Sequence, residues 1–187
     1  MWLFRDQTEV DFLQEVNTLS DRLVGILAPI ILEKRLREAM QHRWVDSDIP
    51  RGTTILEDLF RPSGEIGSFG SMIRVGLATG LFSRETYTDL VRIEKIRNAF
   101  AHRLEAKNFT DQPIVDFVRE ISTIKRWGLD RDVKFTLGEH TVVILDPEEM
   151  PDLDTPRGRF LDAVLHYGNL LYNESKVRRP DPRTPAF

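Results

Sequence analysis

The sequence predicts a mostly α-helical protein, a multi-helix bundle with a small C-terminal β-hairpin inserted into it. Three observations lead there. Apolar residues recur every three to four positions over most of the chain, which is the spacing of one buried helix stripe. Ser, Thr or Asp precedes several of these stripes, where a short side-chain oxygen can accept the unpaired N–H groups of a first turn. One stretch near the C-terminus alternates instead, with β-branched residues in abundance.

Val10, Leu13 and Val16 give a first helix. Ser20-Asp21 offers an N-cap for a second, carrying Leu23, Ile26, Leu27, Ile30, Ile31, Leu32, Leu36 and Met40, and this long helix is expected at the centre. Pro29 lies inside it and should bend or break it, because proline lacks an N–H and crowds the carbonyl one turn back. Residues 46–52 read as loop, after which Thr53 or Thr54 caps a short helix with Ile55, Leu56, Leu59 and Phe60. Ser68 caps a helix through Met72, Ile73, Val75, Leu77 and Leu81. Ser83 starts another through Tyr87, Leu90, Val91, Ile93, Ile96 and Phe100.

Asp111 with Pro113 begins a helix whose apolar face is Ile114, Phe117, Val118 and Ile121. The pattern then changes. Val133, Phe135 and Leu137 alternate with polar residues, and beyond Gly138-Glu139-His140 comes Thr141-Val142-Val143-Ile144-Leu145, so a hairpin over about 132–146 is predicted. Thr155-Pro156 opens a last helix with Phe160, Leu161, Val164, Leu165, Leu171 and Tyr172. The stretch 176–187 holds three prolines and four basic residues with little to bury, which predicts a disordered tail. Residues 1–175 thus form a single expected domain.

A chain of 187 residues buries enough apolar surface to fold without staples, and it has none, since cysteine is absent. Disulfides, thiolate metal sites and cysteine nucleophiles are excluded. Thirty acidic against 26 basic residues give a net charge of −4, so nothing draws the whole chain to a phosphate backbone. No apolar run reaches the roughly 20 residues that span a bilayer, and the first residues turn polar too early for a signal peptide. The expectation is a soluble cytoplasmic protein with no membrane contact and no cofactor.

The stretch most suggestive of chemistry is Arg97-Asn98-Ala99-Phe100-Ala101-His102, on the last turns of a predicted helix. A guanidinium can hold a phosphate bidentately and an imidazole can move a proton. Arg97 falls between Leu90 and Ile93 on the helical wheel, so it projects from an apolar flank and calls for an acidic partner; Asp21, Glu33, Glu57 and Glu94 are the candidates. Glu94, Asn98 and His102, four apart, share another stripe. Arg97 and His102 lie about 140° apart on an ideal helix, so they meet at one ligand only if the helix ends near His102 or a second copy faces the first. Two readings stay open: a metal-independent ribonuclease site using Arg97, Asn98 and His102, or a structural clasp in which His102 closes the helix C-terminus.

Other patterns are weaker. Gly64-x-x-Gly67-x-x-Gly70 hints at a phosphate loop but lacks the preceding strand and the Lys-Ser/Thr of a P-loop. His42, His140 and His166 have no metal-ligand spacing. The helices around Met72–Leu81 and Arg84–Ala101 imitate a helix-turn-helix, yet the second is too apolar to read a major groove. Arg35, Arg37, His42 and Arg43, interrupted by Glu33 and Glu38, read as a solvated face, and the basic tail is the better electrostatic candidate for nucleic acid.

Arg97-Asn98-x-x-x-His102 resembles the signature of HEPN domains, helical modules that are metal-independent endoribonucleases in many members and inactive in others. More of the chain resembles the mannitol operon repressor family. The blocks are Ser20-Asp21-Arg22, Arg51-Gly52, Leu56-Glu57-Asp58-Leu59-Phe60, Gly67-Ser68-Phe69-Gly70-Ser71-Met72-Ile73, Leu77-Ala78-x-Gly80-Leu81 and Ile93-x-x-Ile96-Arg97-Asn98-x-Phe100-Ala101-His102, in that order over about residues 20–115. This resemblance implies a helical, dimeric regulator of transcription that lacks a conventional DNA-reading module and works through a protein partner, with RNA or DNA contact as a further option. Its alternative is the HEPN-type endoribonuclease.

Overall fold

A computed structural model describes residues 7–44, 54–122 and 151–176. They form eight helices: α1 (Gln7–Asn17), α2 (Asp21–Leu27), α3 (Pro29–Trp44), α4 (Thr54–Phe60), α5 (Phe69–Ala78), α6 (Arg84–His102), α7 (Ile114–Glu120) and α8 (Pro156–Lys176). The described residues include no strand. The expected bundle is therefore present, but the hairpin placed at 132–146 lies outside the described residues, as do tail residues 177–187.

The break at Pro29 follows from its missing donor. Ala28 keeps helical dihedrals (φ −55°, ψ −41°) and its N–H still bonds the Val24 carbonyl, but Pro29 cannot continue the ladder, so it becomes the first residue of α3. The axis is interrupted while the side-chain stripe carries on. Ser68 and Ser71 close a reciprocal capping box at the start of α5, and Ser83 accepts from the Thr86 N–H at the start of α6. Thr155 does the same for α8 through the Gly158 N–H, with Pro156 in the first turn. Ser20 occupies the N-cap position of α2 without a side-chain cap bond, so that expected cap is not made.

The centre is shared. α6 packs on α2, α3, α5, α7 and α8, while α3 lies along α8. The 21–44 segment is therefore not the sole central helix that its apolar run suggested. Leu32, Leu36 and Met40 from α3 meet Leu90, Ile93, Ile96 and Phe100 from α6 in one fully buried cluster. Each such side chain contributes about 1.5–3 kcal/mol of transfer free energy. Gly25 lets α2 approach α6, since a Cβ there would run into the Phe100 ring. Phe100 and Phe109 meet edge to face and Phe109 and Phe160 meet tilted, with successive ring centroids 5.0 Å apart, which ties the chain just beyond α6 to α8.

Candidate functional site

The hexapeptide occupies the last turns of α6, and the helix ends at His102, where Arg103 turns extended and donates its N–H back to Ala99. Asn98, Ala101 and His102 are exposed. Arg97 is 29% exposed, and its Nη1 donates to Glu33 Oε2 of α3 at 2.8 Å. Glu33 also faces Arg37 Nη2 at 3.8 Å, one turn on. Arg97 is therefore engaged by one carboxylate at the bundle surface. Because α6 stays helical through His102, the two side chains keep their wide angular separation within one chain.

Of the four acids that sequence offered for Arg97, the structure selects Glu33, and the others have different roles. Asp21 accepts from Arg157 Nη1 at 2.7 Å and from the Phe109 N–H at 3.0 Å. The same guanidinium donates to the carbonyls of Leu19 and Asn17. Asp21 thus binds the α1–α2 corner to α8 and to the segment after α6. Glu57 is exposed on α4. Glu94 lies against Gly70, where its carboxylate fills the space that a Cβ would take in the first turn of α5.

That position of Glu94 also corrects the phosphate-loop pattern. Gly64 and Gly67 pack on backbone carbonyls of residues 58–62, and the negative carboxylate beside Gly70 repels an anion. These glycines serve close packing. Among the remaining histidines His42 is exposed and His166 half-buried, while His140 lies outside the described residues. No group of three or more His, Asp or Glu among the described residues could hold a metal ion.

The strongest polar centre is one the sequence reading passed over. Asp89 of α6 is fully buried and accepts three donors: Tyr167 Oη at 2.6 Å, Arg92 Nη1 at 2.7 Å and the Ser122 N–H at 2.9 Å. It clamps α6, the end of α7 and α8 together. Burial, then the bond to Asp89, pushes the Tyr167 hydroxyl well above the ordinary tyrosine value, so it stays a donor. Burial lowers the neighbouring His166 below the ordinary histidine value, against the opposing pull of Asp162 and Asp89. The available signal was an acid beside Leu90 on the apolar stripe that runs through Thr86 and Ile93.

A second internal pair revises the reading of Arg35 as part of a solvated face. Arg35 is 3% exposed, donates to Glu9 Oε2 at 2.5 Å and to the Gly168 carbonyl at 2.9 Å, and lies over the Tyr172 ring. Arg43 is likewise engaged, by the Gly80 carbonyl at 3.1 Å. Within the basic run on α3, Arg35 is thus an internal brace, while Arg37 and His42 stay at the surface. α6 commits one face to the core, with Leu90, Ile93, Ile96 and Phe100 fully buried, and its outer face mixes Glu85 with Lys95, Asn98 and His102 instead of presenting a basic stripe to a phosphate backbone.

A sequence profile described as mannitol repressor matches residues 8–142. The chain belongs to the mannitol repressor family. The match spans α1 to α7 and includes both Asp89 and the hexapeptide. Comparison with curated proteins finds no match. Among solved structures, the chain is similar to one described as the MtlR-HPr complex from Escherichia coli, at 13% identity and TM-score 0.60, covering 89% of this chain and 99% of that one. It is also similar to a possible transcriptional regulator, YggD from Shigella flexneri 2a, at 17% identity and TM-score 0.56, covering 89% and 95%. At such identities the two structures establish the shared fold. No helix among the described residues is long and apolar enough to cross a membrane.

Proposed function

We propose that this protein is a homodimeric regulator of transcription that acts through a protein partner and does not read DNA directly. The observation that carries this reading is the family match over residues 8–142. A structural relative is described in complex with HPr, which makes the HPr of the same cell the first partner to try. Calorimetric titration of that HPr into the purified protein tests the reading. Saturable binding is expected. Absence of binding, together with sequence-specific DNA affinity that falls steeply with salt, would contradict it.

The alternative, a HEPN-type metal-independent endoribonuclease, would use Arg97 as the phosphate clamp and His102 as the general base, with Asn98 beside them. Exposure of Asn98 and His102 is what favours it. Against it stands the engagement of Arg97 by Glu33, which a phosphate would have to displace.

A further inference from the structure

Among the described residues only three large apolar side chains are exposed: Leu23 at 44%, Ile30 at 42% and Leu104 at 80%. Leu104 stands alone beyond α6, but the other two belong to one stripe. Leu23, Ile26, Ile30, Glu33 and Arg37 follow each other at intervals of three and four, the a/d spacing of a helix-pairing seam. Because Ala28 keeps helical dihedrals across the Pro29 break, the stripe continues from α2 into α3. At about 100° per residue, with Gly25 facing α6 as zero, Leu23 falls near 160° and Ile30 near 140°. Ile26 lies near 100°, Glu33 near 80° and Arg22 near 60° on the same count. The core lies on the other side, toward Leu32 and Leu36.

The charges along this stripe are self-complementary. Arg22 is half-buried and has no ion-pair or hydrogen-bond partner among the described residues. It shares the stripe's edge with Glu33, whose carboxylate is still 23% exposed beside Arg97. If two copies pair antiparallel about a twofold axis between Ile26 and Leu27, Leu23 of each lies opposite Ile30 of the other. The same edges then meet across the axis, so Arg22 of one copy comes within two residues, about 3 Å of axial rise, of the position opposite Glu33 of the other. Apolar side chains fill the middle and an opposite-charge pair closes each end, as an isologous interface requires.

We infer that the stripe of α2 and α3 in which exposed Leu23 and Ile30 flank the half-buried Ile26, edged by Arg22 and Glu33, is the surface on which a second copy of this chain docks. This deepens the homodimer of the reading above by naming its interface. Sedimentation equilibrium of the full chain tests it. The wild type should have twice the 21.7 kDa chain mass. Ile30→Glu should raise the dimer dissociation constant by roughly a hundredfold or more, because the twofold axis buries the new carboxylate twice, with the helical circular dichroism signal at low temperature unchanged. Arg22→Glu alone and Glu33→Lys alone should each raise the dimer dissociation constant by roughly tenfold or more, and an equimolar mixture of the two should recover tighter pairing than either alone, since only the mixed pair has opposite charges at both ends. A monomeric wild type, a dimer indifferent to Ile30→Glu, or no recovery on mixing would overturn the inference. None of these results bears on HPr binding, whose failure in an intact dimer would overturn the partner reading alone.

Discussion

Asp89 and Arg97 lie about two turns apart on one helix, yet the fold treats them in opposite ways. Asp89 is fully buried, its carboxylate filled by a tyrosine, an arginine and a backbone N–H from three elements. Arg97 is 29% exposed and shares one carboxylate that is itself 23% exposed. Burial decides what each is worth. Stranding the partners of a buried charge leaves desolvated groups unpaired, at several kcal/mol, whereas a solvated ion pair returns at most about 1 kcal/mol. The residues that suggested chemistry are therefore energetically minor, and Asp89, which no sequence motif marks, holds the bundle.

The contrast can be broken most forcibly at Asp89. Asp89→Ala strands the Tyr167 hydroxyl, Arg92 and the Ser122 N–H, and should lower the unfolding free energy by about 3–5 kcal/mol in urea titration. Tyr167→Phe removes one charge-assisted bond and should cost about 1.5–3 kcal/mol. That variant also changes the pH profile. Folding raises the Tyr167 value above its ordinary 10.0, so its stabilisation is fully present below pH 10 and is lost as pH rises beyond it, because the unfolded chain releases the proton first. Alkaline unfolding of Tyr167→Phe should lack this component. Arg97→Ala should cost no more than about 1 kcal/mol. His102→Ala, at an exposed helix end, should change stability by about 0.5 kcal/mol or less. A larger effect at Arg97 than at Asp89 would reverse the ranking.

The helices were legible because their causes are local. Apolar spacing, the caps at Ser68, Ser83 and Thr155, and the missing N–H of Pro29 all act within a few residues. The pairings were not legible because their partners are remote. Glu33 stands 64 residues from Arg97, and Tyr167 stands 78 from Asp89, distances over which composition says nothing about who meets whom. Arg35 shows the same limit, since its wheel position beside Leu32 and Leu36 suits burial, but Glu9, 26 residues away, and the Gly168 carbonyl, 133 away, make that burial tolerable. The family resemblance read over about residues 20–115 extends to 8–142, which confirms the regulator class and leaves the HEPN-like motif as an expectation.

In the proposed reading, Arg97, Asn98 and His102 finish a structural helix in a partner-binding regulator. Incubating the purified protein with single-stranded RNA in excess EDTA tests it most directly, with Arg97→Ala and His102→Ala alongside. Intact RNA is expected in all three reactions. Cleavage by the wild type that both substitutions abolish would contradict it.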